Sequence, residues 1–186
     1  MTGTRTYHHG DLRRALLAAA LEAIEEVGPA ALSLRDLARR AGVSHAAPAH
    51  HFGDKAGLLT ALATQGFEAL AEVLAASGDD LLAAGVAYVD FAVRHRAHFE
   101  VMFRPELYRA DDAELVAARE RAGSALRAGV SALPSRGEPG DADRDALAAW
   151  SIAHGFATLW LAGALPGRVG EEPRDAAREV LKRLAR

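Results

Sequence analysis

The sequence predicts an all-α fold, and three observations lead to that prediction. Apolar residues recur at helical spacing along nearly the whole chain. Strand-like alternation of β-branched and aromatic residues is absent. Glycine and proline clusters separate the periodic stretches. We therefore expect about nine helices, over residues 11–27, 34–41, 45–51, 55–76, 80–95, 97–103, 111–133, 142–164 and 172–185.

The bulk composition is that of an ordinary globular protein. Of its 186 residues, 50% are hydrophobic and 25% are charged. The chain has no cysteine, which excludes disulfides, thiolate zinc sites and cysteine nucleophiles. Apolar runs such as residues 15–21 are far shorter than the roughly 20 residues that a membrane-spanning helix needs. The N-terminus has no secretion-signal pattern, so we expect a cytoplasmic protein without a membrane segment.

The charge distribution limits how the chain could bind nucleic acid. The formal net charge is −3. Residues 1–55 carry seven Lys or Arg against six Asp or Glu, together with five of the eight histidines, whereas residues 56–186 carry fifteen bases against nineteen acids. The first third is therefore the less acidic part. Any contact with phosphate there would depend on a few placed groups and not on a broad basic surface.

Two short helices joined by a glycine-containing turn are predicted between residues 33 and 52. Ser33 is placed to cap the first helix, and Asp36, three residues later, resembles the second member of a capping box. Gly42 suits a left-handed turn, and Ser44 is placed to cap the second helix. This geometry places a recognition helix in the major groove of DNA. A plain helical hairpin uses the same residues, so the pattern alone leaves both possibilities open.

A family resemblance favours the DNA-binding helix-turn-helix. Within roughly the first 75 residues, the stretches "YHHGDLRRALLAAALEAIEEVGPAALSLRDLARRAGVS" and "HHFGDKAGLL" resemble the DNA-binding domain of the tetracycline-repressor (TetR) family of bacterial regulators. The shared features are the alanine-rich first helix, the Gly-Pro break, the "AGVS" turn, and the run of His51, Phe52 and Lys55. The resemblance implies a DNA-binding domain over residues 1–55, with its helix-turn-helix at 33–52, and an effector-binding and dimerisation domain over 56–186.

The resemblance also implies which residues meet double-stranded DNA. Ser44, His51 and Lys55 are expected to contact phosphates, and the start of the recognition helix is expected to contact base edges. Arg5 on the N-terminal arm could reach a minor groove. Alternatives are a solvated polar face for the histidines, an ordinary surface lysine at Lys55 and a merely soluble terminus for Arg5. A metal site is disfavoured because spacings of five and six scatter the histidines around a helix. The predicted set is Ser33, Ser44, His45, Ala46, Ala47, His50, His51, Lys55 and Arg5.

The chain departs from the family pattern within the recognition helix. Family members usually have a leucine-type residue and then a phosphate-contacting tyrosine where this chain has Pro48 and Ala49. Proline four positions after the Ser44 cap would lose a bond to the Ser44 carbonyl and disfavour helical angles at Ala47. We expect an irregular first turn whose proline ring still supplies apolar bulk on the inward face.

The C-terminal half predicts a small-molecule effector site. The stretch "AWSIAHGFATLW" resembles the Trp…His-Gly signature of one subclass of TetR C-terminal domains. Aromatic residues and a histidine share a face of helix 80–95, as an apolar pocket with few polar groups requires. We expect His95 to line the pocket and His154 to bond to helix carbonyls in a filled core. The predicted pocket comprises Tyr88, Phe91, His95, Phe99, Met102, Phe103, Trp150 and His154.

The last two long helices are predicted to form a homodimer. Small residues near one face of helix 142–164 permit close helix approach, and helix 172–185 is amphipathic. Packing within one chain would produce the same pattern, and periodicity cannot separate the two. The predicted interface comprises Ala149, Ala153, Ala157, Val180, Leu181 and Leu184.

Two other functional classes remain as alternatives to a DNA-binding regulator. An enzyme could use His95, His98 or His154 as acid or base. However, the sequence has no repeated Glu-x-x-His pair, no serine in a nucleophile elbow and no glycine loop after a strand. A helical small-molecule-binding protein without DNA binding is the other alternative. We expect no catalytic residues, no cofactor and no metal, and by analogy with the family we expect repression.

Overall fold

The computed structural model describes residues 9–131 and 141–183. These residues form helices and no strands, which confirms the predicted all-α fold. The short 3-10 turns lie at Pro105–Leu107 and Gly167–Val169. The helices are α1 (His9–Ala31), α2 (Leu34–Arg40), α3 (Ala47–Phe52), α4 (Lys55–Ala75), α5 (Leu81–Arg94), α6 (Arg96–Met102), α7 (Ala113–Ser131), α8 (Asp141–Leu161) and α9 (Pro173–Leu181).

Two glycines make the turns that the sequence predicts around α2. Gly28 has φ 75° and ψ 161°, which interrupts α1 just before Pro29. Gly42 follows α2 with φ 66°. A side chain is strained at such angles, whereas glycine adopts them readily. The chain can therefore leave helical geometry within a few residues on either side of α2.

The described residues divide into two compact units. The first contains the residues up to Thr64 together with Ala97–Leu115, and the second contains Gln65–Arg96 together with the residues from Val116 onward. Inclusion of Ala97–Leu115 in the first unit was not predicted. Its basis is visible at Arg109, whose backbone N–H donates to the Thr60 hydroxyl at 3.0 Å.

The first unit has a core of leucine and isoleucine side chains from α1, α2 and α4. Helix α2 packs against both α1 and α3. Ala38 of α2 is completely buried, as expected for a small residue where helices approach closely. An ion pair reinforces the α1–α2 contact, since Arg40 lies 2.7 Å from Glu26. The fully buried side chains here include Leu16, Ile24, Leu37, Leu58, Leu59 and Leu62.

The second unit is built around α5, which packs against α8 and α9. Small residues allow the close approach: Ala84 of α5, Ala153 and Ala157 of α8, and Ala177 of α9 are buried. Leu181 of α9 lies directly over Gly85, where an added Cβ would be only 2.9 Å from its Cδ1.

Helix α4 is long and apolar enough to cross a membrane by length and composition alone. However, 56% of its most apolar window is buried inside the protein. Its buried leucines lie in the protein core. A core helix of a soluble protein passes the same test, so this property of α4 is weak grounds for a membrane span.

Candidate nucleic-acid interface

The first helix of the predicted pair begins as its sequence indicates. Ser33 has an extended backbone, and its hydroxyl accepts from the Asp36 N–H at 3.5 Å, which confirms the predicted cap. The Asp36 carboxylate accepts from Arg39 at 2.6 Å and from Arg40 at 3.0 Å. The bonds from these guanidinium groups hold the pKa of Asp36 below its usual value. Asp36 therefore stays ionised and forms ion pairs with two arginines of the same helix, Arg39 and Arg40.

The second helix begins two residues later than predicted, so our assignment of Ser44 as its cap is wrong. The N-cap is Ala46, with no side-chain cap bond, and Ser44 contributes its backbone carbonyl to the Ala47 N–H at 3.0 Å. The reason lies in Pro48. A proline costs no hydrogen bond in the first turn of a helix, where N–H groups have no helical acceptor. Pro48 occupies that turn, so it fixes where α3 starts and does not disrupt it.

Helix α3 has a buried side and an exposed side. Pro48 and Phe52 are buried, and the inward placement of the proline ring was predicted. His45, Ala46 and His50 are exposed, whereas Ala47 and His51 are half-buried. The His50 and His51 rings lie edge to face with centroids 5.5 Å apart. The predicted base-reading residues thus occupy the start and outer side of the helix, as contact with a DNA groove requires.

Lys55 has a partner within the protein that was not predicted. It is the first residue of α4, is half-buried, and its amine donates to the backbone carbonyl of Ala30 at the end of α1. An ammonium group has three donors, so this bond leaves capacity for a phosphate oxygen. Lys55 consequently joins α1 to the turn between α3 and α4. Arg5 lies outside the described residues.

The second unit contains a polar cluster that joins α5 to α8. Tyr88 is 3% exposed, its hydroxyl lies 2.9 Å from His154 Nδ1, and Trp150 Nε1 donates to the same hydroxyl at 3.2 Å. Burial raises the pKa of Tyr88 and lowers the pKa of His154. The cluster is therefore uncharged at neutral pH. Tyr88 is a partner of His154 that we did not predict from the sequence.

Our preference for His95 over His154 as a pocket residue stays a prediction. His95 is exposed and ends α5 with a non-helical backbone, although its ring centroid lies 5.0 Å from that of Phe91. His95 thus stays in contact with the aromatic face of α5 although it follows the last helical residue. The remaining predicted pocket residues are divided between units: Phe99, Met102 and Phe103 belong to the first, and Tyr88, Phe91, Trp150 and His154 belong to the second.

Two family comparisons account for most of the chain. Residues 16–62 match bacterial regulatory proteins of the tetR family. Residues 81–184, more than half of the chain, match the tetracyclin repressor-like C-terminal domain. The chain belongs to the TetR family. The narrower resemblance to the Trp…His-Gly subclass stays a prediction.

Individual relatives of this TetR-family chain agree with the assignment. A protein of unknown function from Rhodococcus sp. RHA1 is 37% identical and superposes with a TM-score of 0.78. The match covers 97% of this chain and 96% of that protein's chain. The HTH-type transcriptional regulator BetI of Stenotrophomonas maltophilia (strain R551-3) is 40% identical over 72 residues. That match spans only 37% of each protein. AibR, solved with isovaleryl coenzyme A and operator DNA, shares the fold at TM-score 0.66 and 16% identity, covering 91% of this chain and 95% of its own.

Two of the predicted dimer residues of this TetR-family chain are buried within the protomer. Ala153 and Ala157 are 4% and 0% exposed, so their assignment to a dimer interface is wrong. They permit the approach of helices within one protomer. Ala149 is half-buried, Leu181 packs on Gly85, and Val180 is exposed. Leu184 lies outside the described residues.

A different face of α8 is exposed and apolar. Leu147, Ile152 and Leu159 are 57%, 37% and 48% exposed. Between them lies Gly155, where an added Cβ would meet nothing within 4 Å. Helical spacing places these residues on a side of α8 away from its buried alanines. We missed this face because leucines and isoleucines at helical spacing also predict a protein core.

Proposed function

We propose that the chain is a cytoplasmic DNA-binding transcriptional regulator that represses from a near-palindromic operator and is released by a small, mostly hydrophobic effector. The observation that carries the proposal is the outward side of α3. His45, Ala46 and His50 are exposed there, while Pro48 and Phe52 anchor the opposite side. This arrangement occurs inside the segment that matches the tetR family. We place the boundary of the DNA-binding function at residues 55 and 56.

Sequence reading by α3 would depend on few side chains. His45 and His50 can hydrogen-bond to base edges, whereas Ala46 and Ala47 can offer only apolar contacts such as one with a thymine methyl group. His51, Lys55 and the exposed Ser44 would contact phosphates, which fix orientation without reading sequence. Arg5 would add a minor-groove contact from the arm before α1.

Replacement of Lys55 tests the DNA-binding proposal. We expect Lys55→Ala to weaken binding to all duplexes about equally. The slope of log affinity against log salt concentration should become shallower by ~1 per subunit for each phosphate contact that is lost. The matched control is Lys182→Ala, which removes the only other lysine and pairs locally with Glu179 on α9. Affinity would be measured by fluorescence anisotropy on DNA that flanks the coding region. Equal affinities for the two variants would contradict the placement of Lys55.

The effector proposal rests on the cluster of Tyr88, Trp150 and His154. Because this cluster is uncharged, and because the buried Phe91 lies three residues after Tyr88 on α5, the site suits a hydrophobic or aromatic compound with one uncharged hydrogen-bonding group. A tenfold loss of DNA affinity on effector binding needs only ~1.4 kcal/mol of coupling. A thermal-shift screen of lipophilic compounds tests this. We expect Tyr88→Phe to bind any such compound more weakly, and a screen without a single shift would contradict the proposal.

The homodimer is proposed on the exposed face of α8. Small Ala148, Ser151 and Gly155 lie among exposed Leu147 and Leu159, which allows a second helix to approach closely. Val180 of α9 is also exposed. A two-fold dimer would present two copies of α3 to the two halves of a near-palindromic operator. We propose no catalytic role, in keeping with a family of regulators.

A further inference from the structure

An arginine outside the helix-turn-helix contacts the turn between α3 and α4. Arg109 lies between α6 and α7, and its guanidinium donates to Asp54 Oδ2 at 3.0 Å. Its backbone N–H donates to the hydroxyl of Thr60, in the second turn of α4, at 3.0 Å. One residue therefore bonds both to the turn and to the helix that follows it.

Asp54 connects this contact to the start of α4. Its Oδ1 accepts from the Gly57 N–H at 2.8 Å, as a helix-capping residue does, while Oδ2 accepts from Arg109. The Gly57 bond, with the charge of Arg109 adding to it, lowers the pKa of Asp54. The carboxylate stays ionised at neutral pH, and each of its oxygens has a separate structural role.

The guanidinium lies close to two glycines, Gly53 in the turn and Gly57 in the first turn of α4. A Cβ added to Gly57 would be 3.1 Å from one guanidinium nitrogen of Arg109, and a Cβ added to Gly53 would be 3.8 Å from another. Gly53 also has φ 77°, which glycine adopts most readily. A side chain at Gly57 would crowd the arginine, whereas a Cβ at Gly53 would be in ordinary contact with it, so Gly57 is the residue that leaves room for the guanidinium.

Hydrogen bonds hold both ends of the segment that contains Arg109. Tyr108 is buried, and its hydroxyl donates to the Met102 carbonyl at 2.7 Å. Asp112 accepts from the backbone N–H groups of Glu114 and Leu115, each at 3.1 Å, and so caps α7. Arg109 is thus held on a short connection with little freedom, as a residue that positions a neighbouring element must be.

We propose that Arg109 is a positioning residue for DNA binding: through Asp54 it fixes the α3–α4 turn so that His51 and Lys55 can meet phosphate. This inference rests on the proposed function. The Arg109 and Asp54 side chains are 50% and 60% exposed, and exposed ion pairs contribute little to stability. Loss of the pair should therefore reduce DNA affinity while the unfolding temperature stays near that of the wild type.

The experiment compares Arg109→Ala, Asp54→Asn and the double variant in full-length protein. Asparagine can still accept from the Gly57 N–H, so the cap of α4 is kept. The double variant removes one charge of each sign and so preserves the net charge. The control is Arg121→Ala, which breaks a comparably exposed ion pair with Glu68 at 2.9 Å in the second unit. The probe is duplex DNA flanking the coding region, with duplexes selected from a random library as a second source.

We expect each single variant to bind about five- to tenfold more weakly and the double variant to bind no more weakly than either, because both remove the same interaction. Arg121→Ala should match the wild type. If only charge mattered, or if Arg109 itself held a phosphate, Asp54→Asn would bind as tightly as the wild type or more tightly, which would overturn the positioning role. A wild type that binds neither source of DNA would instead overturn the proposed function, and this inference with it.

Discussion

Gly57→Ala should destabilise the protein although the residue lies in a helix. A Cβ on Gly57 would be 2.0 Å from the carbonyl oxygen of Phe52, and real Cβ atoms essentially never approach within 3.0 Å. The Phe52 carbonyl and Gly57 would therefore have to separate by about 1 Å. Because the obstructing atom belongs to the backbone of the α3–α4 turn, the whole turn must shift.

The size of the effect follows from two opposing terms. Alanine favours a helix over glycine by about 1 kcal/mol, whereas overpacking typically costs about 1–3 kcal/mol. A backbone obstruction belongs at the upper end, so we expect a net loss of about 2 kcal/mol. For a chain of this size, that corresponds to an unfolding temperature lower by roughly 4–8 °C.

Gly123→Ala is the matched control for this measurement. Its added Cβ would meet only the end of the Arg127 side chain, at 3.4 Å, and that flexible group can move. We expect a gain of about 0.5–1 kcal/mol from the higher helix propensity of alanine. Thermal and urea unfolding, followed by circular dichroism, would compare the two variants. Equal stabilities would refute the close approach of Gly57 to Phe52.

Three further predictions address the dimer, the cluster of Tyr88, Trp150 and His154, and the recognition helix. Gly155→Leu should fold, because an added Cβ meets nothing within 4 Å, yet sediment as a monomer; a stable dimer would exclude this face of α8. Burial holds the pKa of His154 below 6.5. As the pH falls through 6.5, this histidine therefore takes up a proton more readily in the unfolded chain than in the folded protein. The free energy of unfolding consequently decreases. His154→Asn should lose that part of the pH dependence in urea unfolding at about pH 7.5 and about pH 5.5. Ala49→Tyr should tighten operator binding, since Ala49 is exposed and the tyrosine restores the usual family contact; weaker binding would show different docking.

Local features of the fold could be predicted because their causes are local. The Ser33 cap depends on a residue three positions later, and the left-handed turn at Gly42 depends on glycine itself. The start of α3 was misassigned although its signal was present in the sequence. Pro48 is best accommodated in a first turn, and weighing that preference above the capping preference of Ser44 would have placed the helix correctly.

Contacts between distant residues could not be predicted in the same way. Tyr88 and His154 are 66 positions apart, and Asp54 and Arg109 are 55 apart. Periodicity shows which residues share a face of a helix, but it does not show which faces meet. Arg109 therefore gave no signal in the sequence: an arginine between two helices is ordinary, and its importance depends on its distant partners Asp54 and Thr60.

Helix α8 shows why a dimer face is hard to infer from composition. Both of its candidate faces contain residues that suit helix packing: Ala153 and Ala157 on one, Leu147 and Leu159 on the other. Small residues let helices approach closely whether the partner belongs to the same chain or to a second copy. Only burial distinguishes the two faces of α8, because residues already covered within the protomer have no surface left for a second copy to contact. The large exposed residues are then the ones whose apolar area a second copy would remove from water, with Gly155 marking where the two backbones could approach most closely.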